Sequence, residues 1–120
     1  MSHMLPGPGY YNDEAVRGNT LFRQYECQAA DGTPVDLTGF RARWRGVYGD
    51  VTVVKDTAED TLLLTSPSNG TIGLILSPVE TRLIPLDESM KYELEIIGPD
   101  GSELTVLWGD MVGKGGWNTE

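Results

Sequence analysis

The chain has 120 residues, enough for one core hiding roughly two-thirds of the unfolded surface, and nine Lys and Arg against eighteen Asp and Glu leave it at −9. That balance excludes a nonspecific grip on nucleic acid or an anionic membrane, and the single cysteine, Cys27, excludes an internal disulfide and a Cys-rich zinc site. The longest apolar run, Leu62-Leu63-Leu64, falls far short of the ~20 residues that span a bilayer, and no charged-then-apolar leader precedes it, which predicts a soluble chain without an export signal.

Met1-Ser2-His3-Met4 reads as a vector remnant, which removes His3, the single histidine, from any site. Residues 5–18 carry Pro6, Gly7, Pro8 and Gly9, then Tyr10 and Tyr11, without helical or strand periodicity, and are predicted to form an N-terminal arm. Over residues 19–109, Gly and Pro recur between short runs rich in β-branched and aromatic side chains, the spacing of a sandwich or barrel. A first strand is predicted from Thr20 to Ala29, with Leu21, Tyr25, Cys27 and Ala29 on one face and Arg23 awkwardly among them. Asp31-Gly32 turns the chain, and Pro34 forces an extended link through Val35, Asp36 and Leu37.

The second strand, Phe40 to Tyr48, alternates most clearly, with Phe40, Ala42, Trp44 and Tyr48 opposed to Arg41, Arg43 and Arg45. Strands follow over Asp50 to Asp56, Thr61 to Thr65 and Thr71 to Leu76, the last reached through a turn at Ser66-Pro67-Ser68-Asn69-Gly70. Ser77, Pro78 and Glu80 have the spacing of a capping box with proline at the first helical position, predicting a short helix near 78–84. Pro85 limits it to about two turns, with Val79, Leu83 and Leu86 expected to face the core. Tyr92, Leu94 and Ile96 then alternate with Lys91, Glu93 and Glu95, and beyond Gly98-Pro99-Asp100-Gly101 the apolar set continues as Leu104, Val106 and Trp108. Residues 110–120, glycine-loosened and ending near Trp117, are predicted as a C-terminal tail. About seven strands with one late helix predict a mainly β, antiparallel sandwich, because a parallel sheet would need a helix after nearly every strand.

The chemistry-bearing residues point away from catalysis. Asp56, Glu59 and Asp60 lack the alternating oxygens and glycine of a calcium loop and read as a solvated turn. Cys27 lies on an apolar face with no histidine to activate it, and neither a serine elbow nor a glycine-rich phosphate loop is present. No catalytic, cofactor-binding or metal-binding residue is assigned, and the chain is expected not to be an enzyme. What stands out is the arginine row, which either pairs across strands with Glu93 and Glu95 or forms a binding face for an acidic neighbour. The aromatic-tipped ends suggest outside contacts, since Tyr and Trp are favoured interface anchors. Tyr10, Tyr11, Arg41, Arg43, Arg45 and Trp117 are therefore the candidate partner-binding residues.

Gly18-Asn19-Thr20-Leu21, the stretch Asp31 to Arg43, Asn69-Gly70-Thr71-Ile72, Leu76 to Thr81, Tyr92-Glu93-Leu94-Glu95 and Gly98-Pro99-Asp100-Gly101 together resemble a widespread group of small tailed-phage structural proteins. Members of that group look like the N-terminal domain of phage baseplate receptor-binding-protein scaffolds. The resemblance implies an immunoglobulin-like β-sandwich, a virion location after synthesis in the host cytoplasm, other virion proteins and further copies of itself as partners, and no catalytic residue to carry over. It covers roughly residues 18 to 108, leaving Tyr10, Tyr11 and Trp117 outside the shared pattern. Two other readings compete: a carbohydrate-binding module stacking sugars on Tyr10, Tyr48 or Trp117, and an acidic mimic of DNA that inhibits a host defence enzyme.

Overall fold

The computed structural model describes residues 4–5, 9–29, 31–57 and 62–115. In chain order these form β1 (Met4–Leu5), β2 (Gly9–Tyr10), β3 (Asp13–Val16), β4 (Leu21–Cys27), β5 (Arg41–Tyr48), β6 (Val51–Asp56), β7 (Leu62–Ser66), β8 (Thr71–Leu76), α1 (Pro78–Thr81), β9 (Ser89–Ile97) and β10 (Glu103–Lys114). One sheet has the order β1-β4-β8-β7; the other, six-stranded, runs β2-β10-β9-β5-β6 with β3 also paired to β10. The protein is a β-sandwich. Between the sheets, Leu21, Tyr25, Cys27, Ile72, Leu74 and Leu76 of the smaller sheet meet Ala42, Trp44, Tyr92, Leu94, Ile96 and Leu107 of the larger, all buried. Inward and outward residues alternate along β4, β5 and most of β9 as pleating requires. Trp44 stacks on Tyr92 with ring centroids 5.7 Å apart, and the extended link after β4 plugs one end of the core with the fully buried Leu37.

The strands expected between residues 20 and 108 are present and antiparallel to one another. The turn before β8 is closed by Gly70 at φ +71, where a Cβ would meet the carbonyl oxygens of Cys27 and Val35 at 2.6 and 2.7 Å. Only glycine fits there, for conformational and steric reasons alike.

Four expectations need correcting. Residues 9–16, expected within an arm, form β2 and β3, which add in parallel to the edge of β10. Their periodicity was hidden because an inward position of β3 holds Asp13, whose carboxylate grips Arg23 of β4 at 2.8 Å. That ion pair also explains the arginine on the apolar face of β4. Residues 110–114, expected as tail, continue β10, with Met111 and Gly113 still pointing inward.

The helix is a single turn and faces the other way: Val79, Leu83 and Leu86 are exposed while Thr81 and Ile84 are fully buried. Its orientation is set by polar contacts. Ser77 Oγ accepts from the Glu80 amide at 3.2 Å, Glu80 Oε1 accepts from the Ser77 amide at 2.8 Å, and buried Lys55 reaches the same carboxylate at 2.9 Å. Thr81 Oγ1 donates to the Asn19 carbonyl and accepts from the Gly18 amide, and Arg17 donates to the carbonyls of Arg82 and Ile84. Finally, the register of β10 against β9 shifts between Thr105 and Leu107, so Val106 and Leu107 are both buried and Trp108 turns outward, while Leu104, ahead of the shift and opposite Ile96, is exposed near the start of the strand. A bulge of this kind reverses every later side chain on its strand.

Candidate functional site

The outer face of the six-stranded sheet collects most of the chemistry the strands carry. Its register lays Tyr10, Trp108, Glu93, Arg45 and Val54 in one row across five strands, and Asp110, Lys91, Val47 and Thr52 in the next. Tyr10 and Trp108 are about half exposed and meet edge to face, with centroids 4.5 Å apart. The Tyr10 hydroxyl donates to Asp110 Oδ2 at 3.1 Å, and Lys91 Nζ lies 2.7 Å from the same carboxylate. The Lys91 bond, with help from Tyr10, holds the Asp110 carboxyl below the usual carboxylate range. Beside the indole lies an open groove of about 320 Å3, lined by Arg45, Val47, Lys91, Glu93, Thr105 and Trp108 among others.

The arginine row is paired internally. Arg43 reaches Glu95 at 2.9 Å and Asp56 at 3.3 Å, Arg41 reaches Asp56 at 3.2 Å, and Arg45 reaches Glu93 at 3.4 Å. Cross-strand pairs of this exposure contribute roughly 0.2–1 kcal/mol each, so the row shapes the charge pattern more than it holds the sheet together. Asp56, a member of the expected acidic turn, is thus committed to arginines, while Glu59 and Asp60 lie outside the described residues.

Of the candidate residues, the structure brings Tyr10 and Arg45 onto one outer row, with Arg41 and Arg43 further along β5. Tyr11 does not join them: its amide donates to the Trp108 carbonyl, its own carbonyl accepts from the Tyr92 hydroxyl at 2.6 Å, and its side chain packs against the core. Trp117 lies outside the described residues. Trp108 was missed, though its signal was legible: Val106 and Leu107 are adjacent apolar residues, which breaks the alternation and shifts the phase of everything after them. Among the described residues no cluster of three or more His, Cys, Asp or Glu is placed to hold a metal. Burial pushes the Cys27 thiol up to about 11, which keeps it protonated and unreactive at neutral pH.

Fold and face together define a β-sandwich domain whose polar and aromatic groups concentrate on the outside of one sheet. No known family and no curated protein matches the chain. Among solved structures it is similar to the N-terminal domain of phage TP901-1 ORF48, with a TM-score of 0.60, 8% sequence identity and 94% of each chain covered. At that identity the two share a fold.

Proposed function

We propose that this protein is a bacteriophage virion structural component: a non-catalytic β-sandwich subunit of the tail, baseplate or capsid surface that assembles with other virion proteins and with copies of itself. The observation that carries the reading is the end-to-end match of fold with a phage domain, 94% of both chains. Independent support comes from the turn, cap and link residues between Gly18 and Gly101, which resemble the same class of protein, a class that implies an immunoglobulin-like sandwich. Asp56, Glu93, Glu95 and Asp110 on the outer face are each matched to a cation, which argues against mimicry of DNA.

Light scattering of the full chain beside a version lacking residues 1–3 and 116–120, together with binding of both to phage particles stripped of this subunit, tests the reading. The full chain is expected to self-associate or to bind the particles. Cutting further inward is uninformative, because residues 9–16 and 110–114 belong to the sheet. A chain that stays monomeric at high concentration and ignores the particles overturns the proposal.

A further inference from the structure

Folding does not explain why Trp108 faces outward. The bulge that turns it out leaves a large aromatic ring 46% exposed among the ion pairs of the outer face, and bulges gather where a side chain must be re-aimed. The ring is also held in place. Tyr10 abuts it at 4.5 Å, Tyr10 is itself tied to Asp110 at 3.1 Å, and Asp110 to Lys91 at 2.7 Å, so the indole is a stiff platform with little freedom to lose on binding. Around the adjacent groove the rim carries Arg45 with Glu93 at 3.4 Å and Lys91 with Asp110. Of the charged groups lining the groove, Arg45 is matched by Glu93 within it, and Lys91 by Asp110, which stands beside the lining.

We propose that this groove binds a neutral saccharide, with one pyranose ring laid on Trp108. The C–H face of a sugar ring suits an exposed indole, and adjacent hydroxyls suit a rim that offers guanidinium and ammonium donors beside carboxylate acceptors. Competing ligands fit worse. A phosphate or sulfate would face Glu93, a cation would face Arg45 and Lys91, and the apolar lining of Trp108 and Val47 is small for a protein anchor. A volume of about 320 Å3 lies at the low end for small-molecule sites, the scale of one or two sugar rings, and the open ends admit a longer glycan. The site is distinct from the assembly role proposed above, and neither depends on the other.

The test is an array of neutral and anionic glycans probed with the full chain, followed by calorimetric titration of any hit with the parent, Trp108→Ala, Trp108→Phe and Glu93→Gln. The expected result is binding of at least one neutral glycan, weakened about tenfold or more by Trp108→Ala, largely kept by Trp108→Phe and reduced several-fold by Glu93→Gln, at unchanged melting temperature. No neutral hit, hits confined to polyanionic glycans, or binding that survives Trp108→Ala would each overturn it. So would loss of particle binding by Trp108→Ala in the absence of any glycan hit, which would make the face a protein contact; failure of the assembly experiment alone leaves the saccharide site standing.

Discussion

Arg23 shows how much one side chain can organise. It lies on the inward side of β4 with its charge satisfied by both oxygens of Asp13, at 2.8 and 3.0 Å, and by the Glu14 carbonyl. The Asp13 side chain is 5% exposed and that of Arg23 22%, so the pair is shielded enough for loss of one partner to leave an ill-solvated charge. Asp13→Ala is expected to destabilise the protein by about 2–3 kcal/mol, near or just below the range for a fully buried pair because Arg23 keeps some water. Urea unfolding measures it, and adding Arg23→Met should restore part of the loss. Ser77 offers a smaller, cleaner case. Ser77→Ala removes the acceptor for the Glu80 amide and should cost about 1 kcal/mol, read as a lower urea midpoint at unchanged slope. The capping box was legible because it is local, residues three apart; the Asp13 partnership, ten residues apart and between two sheets, was visible only as an unexplained arginine.

At the scale of elements, β10 decides most. It pairs with β9 on one side and with β2 and β3 on the other, and its bulge sets which residues of its second half face the core. Gly109 is where these demands meet, since a Cβ there would collide with the Tyr11 carbonyl oxygen. Gly109→Ala is therefore expected to lever the N-terminal edge away from β10. Hydrogen exchange should show lost protection at Tyr11 and through residues 13–16, whose amides lie along β10, while β4 and β8 keep theirs; equal protection in parent and variant would contradict the packing described. α1 teaches the converse. Its start was readable from Ser77 to Glu80, but its inward face was not, because one turn is too short for a hydrophobic stripe to orient it. Thr81, held by Asn19 and Gly18, turned that face instead.

At the scale of the whole molecule, the titrating groups divide into two sets with opposite pH signs. Burial works to raise the Glu80 carboxyl, but the Ser77 amide and Lys55 outweigh it and hold the group low, as Lys91 does for Asp110. In the acid range the folded protein thus binds fewer protons than the unfolded chain. Their stabilisation is present above the ordinary carboxylate values near 4 and is lost as pH falls through the lower folded values. Burial raises Cys27 to about 11 and pushes the Tyr25 and Tyr92 hydroxyls above the ordinary tyrosine value. There the folded protein keeps protons the unfolded chain releases, so stability declines once pH passes the free thiol value of about 8.5, and more steeply beyond about 10. Unfolding midpoints measured from about pH 3 to about 11 should trace a plateau with both limbs, and Cys27→Ser should flatten the onset of the alkaline limb.

By itself the sequence determined the sandwich: short β-rich segments, several alternating in period two, glycine and proline at the turns, a capping box at one helix start, and no Cys or His set for metal chemistry. Each is written within a few neighbouring residues, where pleat geometry and backbone sterics act directly. The tertiary structure alone decided that residues 9–16 complete a sheet and that the arginines meet Glu93, Glu95 and Asp56. Those outcomes depend on which backbones lie alongside one another and in what register, and a register belongs to pairs of strands distant along the chain.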